Sequence, residues 1–390
     1  MTFAPPFAFA TTPEIQFGAG KLVLLPTWVA SKGRHVLVVT GKRSFLHSVH
    51  WHSLRDSFKE KGLLVSLFQV EKEPSPSLVD ACVATYKDEH VDVVVAIGGG
   101  SVLDAGKAIS AMLPLGDQVH LYLEGIGTKQ HPGTKVPFIA IPTTAGTGSE
   151  ATKNAVLSEV GEKGFKKSLR HAHFVPDMAL IDPELMLDCP PSVTGSSGMD
   201  AFTQLLESYL STAANPMTDA LALEGLSHIS RSLLPAFKEG HSVSARSGMA
   251  LAALLSGITL ANAGLGLVHG FASSIGGYFD IPHGVVCSRL MYPCNKLTVQ
   301  KLRKKRMEAC AKYANVGQLF YGEANKSQDF YVDFLLDIMA AWTEELKIPR
   351  LSQFGVTQTD FERILHATEN KSNPIPLEKE EIQEALEMAL

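Results

Sequence analysis

The sequence predicts an α/β domain on a parallel sheet, followed by an all-helical domain. Three observations predict it. Short β-branched runs alternate with helical segments through the first half of the chain. Those runs are nearly continuous in apolar residues, as strands covered on both faces are. Strand runs then stop after "ALIDPELMLDCPP" (Ala179 to Pro191), and Ala- and Leu-rich segments continue onward. The boundary falls near residues 185 to 191, giving domains over 1–187 and 188–390.

The strands are read in order. "HVLVVT" (His35 to Thr40), "LLVSLFQV" (Leu63 to Val70), "VDVVVAIGG" (Val91 to Gly99) and "PFIAIPTT" (Pro137 to Thr144) each end at Gly, Pro or a polar turn. Between them, "SLVDACVATYKDEH" and "SVLDAGKAISAML" have helical spacing. In the second half, "PMTDALALEGLSHISRSLLPAF" and "LEKEEIQEALEMAL" read as helices. The stretch Ser247 to Phe279 carries no Asp, Glu, Lys or Arg. Its Ser, Thr, Asn, Gly and His residues interrupt the apolar run, so it reads as a helix buried in a helical domain, not a membrane span.

Composition narrows the function. A chain of 390 residues, 45% hydrophobic and 19% charged, suits a soluble protein of two domains. A net charge of −5 offers no electrostatic nucleic-acid partner. The basic run "KLRKKR" (Lys301 to Arg306) reads as a solvated helix face. Five scattered cysteines without a CxxC pair fit reduced thiols in a cytoplasm. The N-terminal apolar stretch lacks a basic n-region, so no signal peptide or membrane association is expected.

The first motif with chemistry is "VDVVVAIGGGSVLDAGKAIS". A strand runs into Gly98, Gly99 and Gly100, and a helix opens at Ser101. Glycines admit a ligand close to the backbone, and a helix N-terminus offers free N–H groups to a phosphate. A second turn, "IPTTAGTGSEAT", ends another strand with Thr143, Thr144, Thr147 and Ser149. Both turns lie at carboxyl ends of expected parallel strands, where such sheets bind ligands. Together they indicate a Rossmann-like nucleotide crevice.

In "GMDAFTQLLESYLS", Asp200 and Gln204 stand one helical turn apart and share a face. In "GLVHGFASSIGGYFDIPHGVVCS", His269 and His283 are each followed by Gly within a charge-free segment. These four side chains form a candidate metal site.

"GGGSVLDAGKA", "PTTAGTGSEAT", "GMDAFTQLLESYLS" and "VHGFASSIGGYFDIPHG" together resemble the iron-containing (group III) alcohol dehydrogenases, over nearly the whole chain and in the same order. The resemblance implies a dehydroquinate synthase-like architecture with an active site between the two domains. It implies pyrophosphate binding at Gly98, Gly99, Gly100 and Ser101, and a helix acid, Asp104, near a nicotinamide. Thr143, Thr144, Thr147 and Ser149 match the second cofactor loop, and Lys166 (or Lys167) a cofactor-contacting lysine. Asp200, His269 and His283 match three of the family's four metal ligands, an Asp and three His.

Three positions depart from the family pattern. Gln204 stands in place of a ligand His, which marks a branch of the family. Ser273 replaces a second His near the substrate. Gly41 replaces an Asp common in NAD-preferring members, with Lys42 and Arg43 nearby, so NADP is permitted alongside NAD. The implied reaction is reversible hydride transfer between a nicotinamide and a small alcohol or aldehyde, with Asp200, His269 and His283 as the catalytic metal-holding set. Fe(II) is the implied metal, with Zn(II), Mn(II) and Ni(II) compatible. Asn154 and Phe271 are expected near the substrate, and a homodimer in the cytoplasm is expected. The alternatives are a metal-independent reductase on the same fold and a related polyol or sugar-phosphate dehydrogenase.

Overall fold

The computed structural model describes residues 6–42, 44–305 and 307–390. Arg43 and Arg306, expected near the cofactor and at the end of the basic run, lie outside them. Two compact units are formed. One holds residues 10–159 and 166–189; the other holds 160–165 and 190–390, together with residues 6–9.

In the first unit the elements are β1 (Glu14–Phe17), α1 (Leu25–Lys32), β2 (His35–Gly41), α2 (Val49–Glu60), β3 (Leu64–Val70) and α3 (Pro76–Tyr86). They are followed by β4 (Val93–Gly98), α4 (Gly100–Met112), β5 (Phe138–Pro142), β6 (Asn154–Glu159), β7 (Phe165–Arg170) and β8 (Met178–Ile181). Six strands form one sheet in the order β1-β8-β5-β4-β2-β3, and every pairing is parallel. The central strands β2, β4 and β5 are buried along their length, as their unbroken apolar runs require. β3 is an edge strand, and there the expectation of two covered faces fails: Leu64 and Leu67 are exposed. β3 carries Ser66 and Gln69 within its apolar run, polar interruptions that the buried stretches of β2, β4 and β5 largely lack. The short β1, β8 and the separate β6–β7 pair have no run long enough to announce them.

The second unit contains α5 (Pro191–Leu210), α6 (Pro216–Lys238), α7 (Val243–Ala263), α8 (Leu267–Tyr278), α9 (His283–Lys305), α10 (Ala309–Tyr321), α11 (Gln328–Glu345), α12 (Phe361–Ala367) and α13 (Lys379–Ala389). The helices are set by local signals. Pro191 and Pro216 occupy the first helical turn, and Asn215 and Thr218 cap each other at the start of α6. α7 is long and apolar enough to cross a membrane by composition, yet most of it is buried inside the helical unit. It and α8 account for the charge-free stretch. Lys301, at the head of the basic run, pairs with Glu378 and Glu381 beside α13.

Candidate metal and cofactor sites

The helical unit assembles its polar cluster on α5, α8 and α9. Asp200, Gln204 and Glu207 fall at i, i+4 and i+7 on α5, so all three face one way. The N-terminus of α8 is capped by Gly266, which has no side chain to accept the free N–H groups of the first turn. Glu207 takes that role from α5: its Oε1 accepts from the Val268 N–H at 2.7 Å, and its Oε2 lies 2.7 Å from His269 Nδ1. A carboxylate only accepts, so Nδ1 carries the hydrogen and Nε2 is turned into the cluster.

Nε2 of His269 lies 3.4 Å from Asp200 Oδ1, and Nε2 of His283 lies 3.7 Å from the same oxygen. Cys287, one turn after His283 on α9, brings its Sγ within 3.6 Å of both imidazole nitrogens. These four ligand atoms lie within 4.8 Å of one another. The glycine after each histidine permits the approach. A Cβ at Gly270 would meet the Glu369 carbonyl oxygen at 2.0 Å, and one at Gly284 would meet that of Ser196 at 2.6 Å.

The cluster fits a divalent cation. Asp200 is 1% exposed, yet its Oδ1 accepts no hydrogen bond. A buried oxygen left that way costs about 1–3 kcal/mol. Electrostatics agree. Burial works to raise the Asp200 carboxyl, but His283, then His269 and Cys287, outweigh it and hold it at about 2. Burial works to lower His269, but Cys287, Glu207 and Asp200 hold its imidazole well above the usual range. Burial pushes the Cys287 thiol up to about 12.

Gln204, expected among the ligands, sets its amide between Asp200 and Ser256. Its Nε2 donates to Asp200 Oδ2 at 3.2 Å, and its Oε1 accepts from the Ser256 hydroxyl at 3.0 Å. Ser273 donates to the His269 carbonyl at 2.9 Å and accepts from Lys371 Nζ at 3.2 Å. Phe271 is fully buried. Sequence reasoning missed Glu207 and Cys287. The i+7 spacing from Asp200 and the i+4 spacing from His283 were the available signals.

In the α/β unit, β4 delivers Gly98 and α4 opens at Gly100, with Gly99 as a cap without a side chain. The adjoining loop comes close enough to explain the glycines. The Thr143 N–H donates to the Gly98 carbonyl at 3.0 Å, and a Cβ at Gly100 would meet Thr147 at 2.7 Å. A Cβ at Gly99 would press on Thr144 Oγ1 at 3.3 Å. Asp104 accepts from the Ser149 hydroxyl at 2.5 Å, and burial pushes its carboxyl up.

Lys107, on α4, is 1% exposed and reaches Ser149 O, Ser149 Oγ, Thr152 Oγ1 and Asn154 O, all within 3.1 Å. It ties the 149–154 loop to the glycine-turn helix, and burial lowers it to about 8. Ser101 and Lys166 converge on Glu73, each at 3.2 Å. Gly41 ends β2, and among the described residues nothing lies within 4 Å of an added Cβ. Lys42 is paired at 2.5 Å with Glu71, so a carboxylate does lie near this strand end. Lys107, Glu73 and Glu71 were not singled out from sequence.

The α/β unit thus carries two interlocked turns at the carboxyl edge of a parallel sheet, where such sheets bind nucleotides, and the helical unit carries a buried carboxylate–imidazole cluster that fits a metal. Comparison with known proteins narrows this. Residues 12–183 match the family described as "Iron-containing alcohol dehydrogenase", and residues 194–390 match "Fe-containing alcohol dehydrogenase family, C-terminal". Alcohol dehydrogenase 4 of Saccharomyces cerevisiae (strain YJM789) is 31% identical, over 97% of this chain and 96% of its own length. The NAD-dependent methanol dehydrogenase of Bacillus methanolicus is 34% identical, over 73% of this chain and 74% of its own. The crystal structure of a 1,3-propanediol oxidoreductase superposes with a TM-score of 0.88 at 30% identity, covering 99% of this chain and all of that one. The chain belongs to the iron-containing alcohol dehydrogenase family. It is an oxidoreductase of alcohols and aldehydes, in a family that uses NAD(H) and a metal, typically iron.

Proposed function

We propose that Asp200, His269 and His283 hold a divalent metal at the reacting oxygen of a small alcohol or aldehyde, and that the two turns of the α/β unit bind the nicotinamide cofactor. The observation that carries this is the buried Asp200 Oδ1, faced by two imidazole Nε2 atoms and accepting no hydrogen bond. When bound, the metal supplies Lewis-acid polarisation of the substrate oxygen. The nicotinamide supplies the hydride chemistry.

The chain's own residues do the rest. Gly98, Gly99, Gly100 and Ser101 present backbone N–H groups and the positive end of α4 to the pyrophosphate. Lys166 offsets Glu73, which would otherwise repel it. Asp104 fixes the Ser149 hydroxyl, and Lys107 fixes the loop carrying it, so Thr143, Thr144, Thr147 and Ser149 meet the cofactor already ordered. Glu207 keeps the His269 hydrogen on Nδ1.

NADP(H) is accepted as well as NAD(H). The strand end at Gly41 has room for a 2′-phosphate, and Glu71 is neutralised by Lys42. The test is metal content and activity with short-chain aldehydes, before and after chelation. One metal per chain, with activity lost to chelator and restored by one divalent ion, is expected. Full activity in metal-free protein would instead make this a metal-independent reductase. Gly41→Asp should lower kcat/KM for NADPH at least tenfold more than for NADH; equal effects would refute the Gly41 reading.

A further inference from the structure

We propose that Cys287 is the fourth metal ligand of this chain, and that Gln204 stays outside the coordination sphere and clamps Asp200. The inference rests on the metal-site reading above and deepens it: the four side chains hold the ion at rest, and the substrate oxygen would enter as a fifth ligand. It gives the site two nitrogens, one oxygen and one sulfur, a set that selects Zn(II) over Fe(II).

Distances carry the argument. Tetrahedral Zn(II) has bonds of about 2.3 Å to sulfur, about 2.05 Å to imidazole nitrogen and about 2.0 Å to carboxylate oxygen. Simple trigonometry on those bonds places nitrogen and sulfur about 3.6 Å apart, and oxygen and nitrogen about 3.3 Å apart. The protein has two nitrogen–sulfur separations of 3.6 Å. Its oxygen–nitrogen separations are 3.4 and 3.7 Å. Adjacent corners of an octahedron with the same bonds would be only about 3.1 and 2.9 Å apart. Four of the six edges of the cluster are therefore those of a tetrahedron of zinc size, and the remaining two lie within 4.8 Å.

A purely structural thiol explains less. It meets both imidazole nitrogens only by donating to one and accepting from the other, and it still leaves the buried Asp200 Oδ1 between them without a hydrogen bond. Gln204 is already committed. If its amide were turned so that oxygen faced Asp200, two acceptors would oppose each other at 3.2 Å. With Nε2 on Oδ2, the other carboxylate oxygen is left for the metal. Two anionic ligands also neutralise a dication in a dry site, which lowers the cost of burying it. Thiolate is a soft ligand, favouring zinc over the harder Fe(II).

The test is Co(II) loading of metal-free protein under anaerobic conditions, read by absorbance. One Co(II) per chain, with a sulfur-to-cobalt charge-transfer band in the near ultraviolet, is expected. The band should vanish in Cys287→Ser and persist in Cys294→Ser, which removes a buried thiol two turns along α9. One bound Co(II) without the band would overturn Cys287 and leave the metal-site reading standing. A band that survives Cys287→Ser would do the same. Failure to bind Co(II) at all would overturn the metal-site reading and this inference with it.

Discussion

Replacing Glu207 by Gln tests how the cluster is held. The side chain keeps its size, but one acceptor oxygen becomes a two-hydrogen donor. In the native protein, Oε1 accepts from the Val268 N–H and Oε2 from His269 Nδ1, both at 2.7 Å. The variant's NH2 group must face one of these. Facing the backbone N–H would oppose two donors at 2.7 Å, so it faces Nδ1. That requires Nδ1 to accept, which moves the hydrogen to Nε2, where it points at Asp200 Oδ1. Metal binding must then strip Nε2 or move its hydrogen back to Nδ1, against the variant's NH2 group. Loss of such an outer-shell partner costs about 10–100-fold in metal affinity, or about 1.4–2.7 kcal/mol. The assay is competition for Zn(II) against a chromophoric chelator, with urea unfolding of the metal-free forms as control. Expected are weaker zinc binding by at least about tenfold and metal-free stability within about 1 kcal/mol of the native protein. Native zinc affinity in the variant would refute the tautomer argument.

Other outcomes follow from the same packing and electrostatics. A Cβ at Gly284 would meet the Ser196 carbonyl at 2.6 Å, where ordinary contact begins at 3.4 Å, so Gly284→Ala must displace α9 from α5 by about 0.8 Å (3.4 − 2.6). His283 and Cys287 move with it, and zinc affinity should fall at least about tenfold while helix content is kept; an unchanged affinity would refute the backbone-contact reading. Glu150 is buried, and burial raises its carboxyl from 4.5 to about 7. A carboxyl raised on folding favours the native state below its unfolded value, so stability should fall as pH rises from 4.5 to about 7, by about 3 kcal/mol. Urea unfolding from about pH 5 to about pH 7.5 should show this loss in the native protein and not in Glu150→Gln; parallel profiles would count against it. Lys107 is kept out of that window, because its lowered value of about 8 affects stability only at higher pH.

What could be read from sequence was what sits in local patterns. β2, β4 and β5 declare themselves as apolar runs closed by Gly or Pro, and the glycine turn follows one of them. Asp200, His269 and His283 lie in short distinctive stretches. The groups that orient them do not. Glu207 reaches His269 across 62 positions, Glu73 reaches Lys166 across 93, and Lys107 reaches Asn154 across 47. An acid on an amphipathic helix looks the same in sequence whether it meets water or a histidine. Cys287 differs, since its i+4 spacing from His283 was visible; the five cysteines were read together, as scattered reduced thiols without a CxxC pair. Gln204 was weighed as a ligand because it stands one helical turn from Asp200 on the same face, and that spacing serves a ligand and a hydrogen-bond partner of Asp200 equally well.

The charge state of the metal-free cluster leads to one more measurement. Asp200, held at about 2, is already ionised at neutral pH and gives up no proton when a metal enters. Burial pushes the Cys287 thiol up to about 12, so a metal that takes Sγ must displace its proton. Because ligation requires deprotonated donors, affinity should rise with pH near neutrality, and more steeply in the native protein than in Cys287→Ser. Calorimetry of zinc binding in buffers of different ionisation enthalpy counts the released protons directly. The native protein should release one proton more than Cys287→Ser. Equal counts would mean that the thiol keeps its hydrogen, and that only the imidazoles and Asp200 hold the ion.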